Sequence, residues 1–331
     1  MNILVIKQTS LGDALHATPH LRAIKAKYPD AHLTVLTASN SAEIYQHNPH
    51  IDRLVLFDYP QFKQNGFAQA GRSIKLIKHT LGELKTRKYD LAFDLQGLAR
   101  SVIFLYLTKA KQKFAKGRWL GLKGFRNKQL HAIDEMSQVL AVANIPVANQ
   151  GMEFGLAPNT QAALKLKLSA LKVKPPYIVI SPFTRWASKN WPLEHFMQTA
   201  KRLCETHTVL ITGTAQDKTL IEPVLPTPSQ PNSVLNVAGA FSLAELACLM
   251  SDAALVISGD SFPMHLATAV NAPLITLFGP TDENKTGPRS ENSAVLRPQD
   301  CQRCAKPNCP KACLNQISVE TVIKQTEIIL N

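Results

Sequence analysis

Short apolar segments alternate with longer segments of helical periodicity along most of the chain, and this alternation constrains the fold more than any other feature. NILVI at residues 2–6 is followed by a helical stretch over Ala14–Tyr28, and HLTVLTA at residues 32–38 continues the series. Strands that are buried on both faces of a parallel sheet are continuously apolar, and helices connect them. The pattern therefore predicts a doubly wound α/β sheet rather than a series of hairpins.

The pattern begins again after a segment rich in Lys and Pro at residues 172–176, where YIVISPF opens a second set of strands and helices. We therefore predict two Rossmann-like domains with parallel sheets, residues 1–170 and 171–317. Residues 318–331 are predicted to form a last helix, which could pack back toward the N-terminal domain. A chain of 331 residues is long enough for this division.

Composition excludes several other classes of protein. With 45% hydrophobic and 18% charged residues, the chain is neither disordered nor a coiled-coil rod. Its longest clear apolar run, Val102–Leu107, has six residues, far fewer than the roughly 20 of a membrane-spanning helix. The first residues, MNILVIKQTS, lack the basic start of a secretory signal peptide, so we expect a cytoplasmic protein.

Positive charge is concentrated in the first half of the chain. The net charge is +13, and residues 1–150 contain 21 Lys and Arg against 10 Asp and Glu, whereas the remaining residues contain 16 against 14. Such asymmetry indicates an anionic partner, for which nucleic acid, an anionic membrane and a polyanionic substrate all qualify. A basic face that is merely solvated is the alternative.

Four of the six cysteines, Cys301, Cys304, Cys309 and Cys313, lie close together in the sequence. Their C-x2-C-x4-C-x3-C spacing permits a tetrahedral thiolate zinc site, although zinc ribbons usually separate their two pairs more widely. Free or packed thiols are the alternative, because a cytoplasmic setting argues against structural disulfides.

The first strand leads into Ser10-Leu11-Gly12-Asp13, at the edge of the sheet where open α/β proteins bind their ligands. This loop has neither the G-x-G-x-x-G pattern nor that of a P-loop. Gly12 allows a close backbone approach, and Asp13 could cap the following helix or act as a general base. His16, one turn further on, could orient Asp13 or simply pack.

Three loops of the second half carry comparable features. The loop after YIVIS contains Thr184 and Lys189, a hydroxyl and a point charge that suit a phosphate, although a cationic loop anchored by Trp191 would look the same. Asp217 follows the next strand, where it could accept ribose hydroxyls or be an ordinary surface acid. Asp260 ends a further strand. Because it has the same charge as phosphate, we expect it to bind sugar hydroxyls while backbone N–H groups behind it hold a diphosphate.

Together, these segments resemble the heptosyltransferases of glycosyltransferase family 9 over nearly the whole chain. The resemblance is carried by NILVIKQTSLGDALHATPHL, PFTRWASKNWPLEHF, SGDSFPMHLATAVNAPLITLFGPTDENKTGP and CQRCAKPNCPKACLNQISVETVI. It implies the two-domain GT-B fold, with the two parallel sheets facing across a cleft. It also implies inverting transfer of heptose from ADP-heptose to a Kdo/heptose acceptor of the lipopolysaccharide inner core, with no metal and no cofactor.

The resemblance assigns roles to individual residues. Asp13 matches the general base, with Gly12 and His16 on the acceptor side. The positions that match the donor site are Thr184, Lys189, Asp217, Phe241, Asp260, Ser261, Met264 and His265. Among these, Lys189 matches a residue that grips the donor phosphate, Asp217 an acid on the adenosine ribose, and Phe241 an apolar side chain on the adenine.

One position departs from the family. Phe262 stands before the Pro where the family usually has Gly or another small residue, so its ring could narrow the donor pocket and change the choice of sugar.

The implied acceptor is an anionic saccharide linked to lipid, which gives the basic half of the chain a partner. Eight Lys and Arg without an acid lie between Lys109 and Lys128, interleaved with Phe114, Trp119 and Phe125. This composition fits a patch that binds an anionic membrane surface. We expect a peripheral protein on the inner face of the inner membrane.

Two alternatives come from other readings of the same features. One is another GT-B enzyme, a transferase or an epimerase, that uses a different nucleotide sugar. The other is a nucleic-acid-binding protein, but we expect no nucleic-acid partner because the sequence contains no recognisable module of that kind.

Overall fold

The computed structural model describes residues 1–59, 61–62, 70–226 and 233–331. The chain divides into two compact units, Met1–Leu156 and Ala157–Asn331. Each unit contains a six-stranded sheet whose strands all pair in parallel. The predicted fold class, with two Rossmann-like α/β domains, is therefore confirmed.

The first unit has its strands in the order β3-β2-β1-β4-β5-β6. These strands are β1 Asn2–Ile6, β2 His32–Ala38, β3 Arg53–Phe57, β4 Tyr89–Asp94, β5 Ala110–Lys116 and β6 Lys123–Phe125. The helices described in this unit are α1 Leu11–Leu15, α2 Thr18–Lys27, α3 Ala42–Tyr45, α4 Ala70–Lys85, α5 Ala99–Leu107 and α6 Ala132–Ala141. In the register, Ile3 of β1 lies opposite Leu33 on one side and Leu91 on the other.

The second unit repeats this order as β9-β8-β7-β10-β11-β12. Its strands are β7 Tyr177–Ser181, β8 Thr208–Ile211, β9 Val234–Asn236, β10 Leu255–Gly259, β11 Leu274–Leu277 and β12 Ser293–Leu296. The helices described are α7 Thr160–Ala170, α8 Leu193–Leu203, α9 Lys218–Ile221, α10 Leu243–Ser251, α11 Phe262–Ala269, α12 Glu283–Thr286 and α13 Val319–Leu330. Every residue of the central strands β7 and β10 is buried, as their continuous apolar sequences indicate.

The boundary between the units lies nearer the N-terminus than predicted. Helix α7, assigned to the first domain by the predicted boundary at residue 170, packs against α10 of the second unit. An ion pair of 2.7 Å between Lys167 and Glu245 joins these two helices. The last helix, α13, forms as predicted and packs against α8 and the second sheet. Its packing toward the N-terminal domain stays a prediction.

The helix predicted over Ala14–Tyr28 is two helices, α1 and α2, interrupted at His16 and Ala17. Proline lacks a backbone N–H and its ring clashes with the preceding turn of a helix, so it is tolerated only in the first turn. Pro19 lies in the first turn of α2, which therefore begins anew before it.

Strands β5 and β6 lie in the segment predicted to form a basic membrane patch. The sequence AKQKFAK of β5 contains more polar than apolar residues, so it lacks the apolar run that predicts a buried strand. Phe114, predicted to belong to the patch, is instead buried and stacks on Phe93 with 5.1 Å between the ring centroids. None of the helices in the described ranges is both long and apolar enough to cross a bilayer.

Candidate functional site

Each sheet has a point at which the chain leaves two neighbouring strands in opposite directions, between β1 and β4 in the first unit and between β7 and β10 in the second. Open α/β sheets bind ligands at this point, beyond the carboxyl ends of the strands. The loops that follow these four strands carry most of the candidate residues.

Lys189 and Asp260 meet at the switch point of the second sheet. Lys189 ends the loop after β7, and its Nζ lies 2.6 Å from Oδ2 of Asp260, which directly follows β10. Thr281, in the loop after β11, donates its hydroxyl to the same Oδ2 at 2.5 Å. The ring of Trp186 lies beneath the ammonium, 4.6 Å from Nζ. The sequence identified Lys189 and Asp260 separately but not their ion pair, which depends on the order of the strands.

Thr184 closes the loop that presents Lys189. Its hydroxyl donates to the carbonyl of Trp186 at 2.9 Å, and its backbone N–H donates to Oδ1 of Asn190 at 2.8 Å. A Cβ placed on Gly259 would lie 2.9 Å from Cγ2 of Thr184, so the close approach of β10 to this loop requires glycine. The Thr184 hydroxyl therefore stabilises the loop, and its predicted contact with a phosphate stays a prediction.

Helix α11 begins immediately after Asp260. Ser261 is its N-cap residue, and the Ser261 hydroxyl is buried without a hydrogen-bond partner among the described residues. Met264 is completely buried and donates its backbone N–H to the carbonyl of Ser261, so it supports the turn. His265 is also buried, whereas Phe262 is half-buried at the start of the helix.

Asp217 and Phe241 lie in the loops after β8 and β9. Oδ2 of Asp217 accepts hydrogen bonds from the backbone N–H and the hydroxyl of Thr214, both at 2.7 Å. The two loops are joined by a hydrogen bond of 2.9 Å from the Gly239 N–H to the Gly213 carbonyl. Gly239 has a φ of +75°, and a Cβ on it would lie 2.7 Å from Cα of Ala215. The half-buried ring of Phe241 has the Lys167 ammonium 5.6 Å from its centroid.

The cysteine segment, residues 301–313, supports the loops around Lys189 and Thr281. Ser188 donates its hydroxyl to the carbonyl of Lys306 at 2.8 Å, and the N–H of Ala305 donates to the carbonyl of Pro280 at 2.7 Å. The sequence did not reveal this supporting role, because both contacts are made through backbone carbonyls.

None of the four thiols of this segment forms a disulfide bond. A hydrogen bond from the backbone of Lys311 lowers the pKa of Cys309, whereas burial raises the pKa of Cys313 to about 11. Within the described ranges, no three His, Cys, Asp or Glu side chains are arranged to hold a metal ion. The zinc site considered for the cysteine cluster stays a prediction.

In the first unit, Asp13 lies in α1 directly after the loop that follows β1. Ser10, not Asp13, occupies the N-cap position, and Asp13 is the third residue of the helix. Its Oδ2 accepts hydrogen bonds from the N–H of Ser10 at 3.0 Å and from the Ser10 hydroxyl at 3.1 Å. The half-buried carboxylate thus stabilises the start of the helix from inside it, and the general-base role stays a prediction.

The two residues predicted on the acceptor side are both buried. Gly12 lies in α1, and His16 directly follows that helix. The ring of His16 meets that of His131 edge-on, with 5.6 Å between the centroids. His131 is the N-cap of α6, where its Nδ1 accepts the N–H of Ile133. At least part of the role of His16 is therefore packing.

Sequence reasoning missed two buried charged residues at the same edge, Lys7 after β1 and Asp94 at the end of β4. Asp94 accepts hydrogen bonds from the backbone of Gln96 and Gly97 and from the Ser101 hydroxyl. Burial lowers the pKa of Lys7 and raises the pKa of Asp94 to about 7. A charged residue directly after the apolar run LAF, as in YDLAFDLQG, is the signal that could have revealed Asp94.

Residues that follow β4 also form hydrogen bonds to the loop that leads to Asp13. Gln96 accepts the N–H of Thr9 at 3.0 Å, and Arg100 donates to the Thr9 hydroxyl at 2.7 Å. The guanidinium of Arg100 lies 4.6 Å from the centroid of the Tyr59 ring. These contacts fix the backbone immediately before Ser10.

Comparison with known proteins identifies the family of this chain. Residues 77–315 match the family model described as glycosyltransferase family 9 (heptosyltransferase). A curated relative, lipopolysaccharide heptosyltransferase 3 of Escherichia coli, is 28% identical over 292 residues, which cover 85% of this chain and 84% of the relative.

Two solved structures share the fold over almost their whole length. A family 9 glycosyl transferase from Veillonella parvula has a TM-score of 0.86 at 23% identity, covering 99% of this chain and 97% of that one. The E. coli ADP-heptose lipopolysaccharide heptosyltransferase II has a TM-score of 0.78 at 19% identity, covering 100% and 98%. Because the family model matches most of the sequence, this chain belongs to glycosyltransferase family 9, the heptosyltransferase family, and is a glycosyltransferase.

Proposed function

We propose that this glycosyltransferase moves a heptose, with inversion, from ADP-heptose to a Kdo- or heptose-bearing acceptor of the lipopolysaccharide inner core. The observation that carries the proposal is the Lys189–Asp260 pair at the switch point of the second sheet. A cation and a carboxylate side by side suit a ligand that joins a diphosphate to a polyhydroxylated sugar. The names of the relatives, lipopolysaccharide heptosyltransferase 3 and ADP-heptose heptosyltransferase II, support the same donor and acceptor.

On the donor side, Lys189 binds the diphosphate. An ammonium has three N–H donors. Asp260 accepts from Lys189 through Oδ2 at 2.6 Å and through its backbone carbonyl at 3.4 Å, so the third donor can bind a phosphate oxygen while the ion pair is kept. Asp260 keeps acceptor capacity for a sugar hydroxyl. At the start of α11 the N–H of Phe262 can add a donor for the phosphates, since Pro263 has no N–H and that of Met264 donates to the Ser261 carbonyl. Thr184 and Met264 act indirectly by holding the loop and the turn, while Ser261 and His265 line the start of α11. The narrowing of the donor pocket by the Phe262 ring stays a prediction.

The adenosine lies at the loops after β8 and β9. Within the described residues, both side-chain hydrogen bonds of Asp217 use Oδ2, which leaves Oδ1 to accept a ribose hydroxyl. The half-buried ring of Phe241, whose loop is joined to that of Asp217, provides an apolar surface for the adenine.

In the reaction, the carboxylate of Asp13 takes the proton of the acceptor hydroxyl as the oxygen attacks the anomeric carbon of the heptose. The bond from that carbon to the diphosphate breaks on the opposite face, so the configuration inverts and ADP leaves. Lys189 stabilises the charge that develops on the leaving diphosphate. The two bonds from Ser10 hold the Asp13 carboxylate in one orientation.

The acceptor is linked to lipid, and the basic first half of the chain is the part suited to an anionic membrane surface. We place the protein at the inner face of the inner membrane as a peripheral protein.

Donor identity tests the proposal most directly. Isothermal calorimetry should show tighter binding of ADP-heptose than of UDP- or GDP-sugars, and turnover with acceptors of defined core length should then identify the heptose position. Preferential binding of a UDP- or GDP-sugar would favour a transferase with a different donor and reject the proposal.

A further inference from the structure

Helix α5 in the first unit has an apolar outer face. Its inner side chains, among them Val102, Phe104 and Leu105, are buried against the sheet and neighbouring helices. A helix that covers a sheet normally turns polar residues to the solvent. In α5, Ile103, Tyr106 and Leu107 are instead 39%, 42% and 45% exposed.

A fourth exposed apolar side chain belongs to a turn that is hydrogen-bonded to this helix. Leu120, in the turn between β5 and β6, is 94% exposed. Tyr106 donates its hydroxyl to the Leu120 carbonyl at 2.5 Å, and Lys113 donates to the Tyr106 carbonyl at 2.8 Å. The first bond joins the turn to the end of α5, and the second joins β5 to it. We call Ile103, Tyr106, Leu107 and Leu120 the outer apolar face.

The surroundings of the outer apolar face are basic. No Asp or Glu occurs from residue 95 to residue 133, a stretch that contains nine Lys and Arg. Lys109 follows α5, and Arg118 and Lys123 flank the turn that carries Leu120; all three are exposed. Of the aromatic rings predicted to supply the apolar part of this surface, Phe114 is buried, and Trp119 packs against the core and donates its indole N–H to the Lys116 carbonyl.

Charge decides which partner covers this face. A second copy of the chain would bring two basic rims together, and like charges repel. An anionic bilayer pairs its headgroups with the rim while its acyl chains receive the apolar side chains. Tyr at the edge of the face suits the boundary between the two, because its ring is apolar and its hydroxyl polar.

We propose that the outer apolar face inserts into an anionic lipid bilayer, with Leu120 as its deepest residue and Lys109, Arg118 and Lys123 on the headgroups. The proposal goes beyond a purely electrostatic contact, and it builds on the membrane-bound acceptor of the proposed function. A face of this kind lies in the interface at a depth of roughly 5–10 Å, below the headgroups. Binding should therefore keep a component that salt does not remove, because the transfer of apolar surface is not screened.

The test uses Leu120→Trp as a reporter of depth and Leu166→Trp as its matched control. Leu166 is 75% exposed on α7 of the second unit, outside the basic region. Both variants keep the native Trp119, Trp186 and Trp191, so a difference between them reports the added ring. With phosphatidylethanolamine–phosphatidylglycerol vesicles whose acyl chains carry bromine, the emission of Leu120→Trp should be quenched well beyond that of Leu166→Trp.

A second pair measures the contribution to binding. Leu120→Ser should lower partitioning into the same vesicles by roughly tenfold, as expected for the loss of one inserted leucine side chain, and Leu166→Ser should not change it. Equal quenching of the two Trp variants would overturn insertion even if the protein binds the vesicles. Self-association that Leu120→Ser abolishes would assign the face to a second copy and also overturn it.

Neither vesicle experiment contains donor or acceptor, so its result is independent of catalysis. Turnover on a delipidated, water-soluble acceptor tests the proposed function separately. Activity on that acceptor without insertion would reject this inference alone, whereas insertion without heptose transfer would reject the proposed function alone.

Discussion

At the residue scale, the two acids singled out in the sequence, Asp13 and Asp260, occupy very different surroundings. Asp13 is half-buried and accepts two hydrogen bonds from Ser10, whereas Asp260 is buried beside a lysine and a threonine. Sequence identified both because each follows an apolar strand closely. It could not identify their partners, because Lys189 and Thr281 are brought to Asp260 by tertiary structure.

Asp13→Asn tests the general base. The amide keeps the size of the side chain and an acceptor oxygen for Ser10 but does not take up the proton, so kcat should fall by about 10²–10⁴-fold with the fold retained. Steady-state turnover and a thermal melt check this. Asp30→Asn, an exposed acid beyond α2, is the matched control and should leave kcat unchanged. Near-native turnover in a folded Asp13→Asn protein would rule out the assignment.

Lys189→Ala tests the diphosphate contact. Loss of a hydrogen bond between charged groups costs about 1.5–3 kcal/mol, so ADP affinity measured by calorimetry should fall by about 10- to 100-fold. Asp260→Asn breaks the same ion pair from the other side and should leave ADP affinity close to that of the parent, because its proposed contact is with the sugar. If both variants weaken ADP equally, the effect comes from the broken pair and the diphosphate assignment fails.

At the scale of elements, the alternation of strands and helices predicted the buried strands well and the polar ones poorly. The bounds of β1 and β2 match their apolar runs, since a strand covered on both faces contains little else, and β7 ends two residues before the end of YIVISPF. Strand β5 escaped prediction because it lies near the sheet edge and three of its first four residues are polar, with Lys111 and Gln112 exposed. The interruption between α1 and α2 depends on Pro19, which was seen in the sequence but placed inside one helix.

The turn from β4 to α5 gives a prediction about pH. Burial raises the pKa of Asp94 to about 7, against 3.8 for an ordinary aspartate. From about pH 4 to 7 the folded protein holds a proton that the unfolded chain has released, so the free energy of unfolding falls as pH rises through this window and levels off above it.

Asp94→Asn removes this titration. Between pH 5 and 8 the parent should lose about 2–3 kcal/mol more of its free energy of unfolding than the variant does. Urea unfolding at the two pH values measures both losses, and the comparison within one background cancels the titration of other groups. Identical pH dependence in the two proteins would show that Asp94 is ionised in the folded state.

At the scale of the whole molecule, the charge asymmetry was fully visible in the sequence, but the availability of each charge was not. Of the basic residues predicted to bind a membrane surface, Lys116 is committed to an ion pair of 2.8 Å with buried Glu135, and Lys111 pairs with Asp90. Lys109 and Arg118 remain exposed, together with Lys123. Ion pairs between distant segments depend on the fold, so sequence alone does not show which cations are neutralised.

A triple variant in which Lys109, Arg118 and Lys123 are replaced by Glu should bind anionic vesicles more weakly than the parent protein. Each basic residue near such a surface contributes about 1 kcal/mol, so partitioning at low salt should fall by at least two decades, and the difference should shrink at high salt. Co-sedimentation at two salt concentrations measures this. The same reversal at exposed Lys165, Lys174 and Lys201 of the second unit changes the net charge equally and should have little effect. Equal losses in the two triple variants would mean that only net charge matters.

Both sheets have the same strand order, and each is complete within its own unit. One structural plan is therefore used twice in a single chain, with an acid after the first strand of one copy and a cation after the first strand of the other. Changes in the loops of one copy leave the hydrogen-bonded ladder of the other intact. The two halves can accordingly diverge at different rates during evolution, and a new sugar donor could be acquired by exchange of the second half while the first is inherited unchanged.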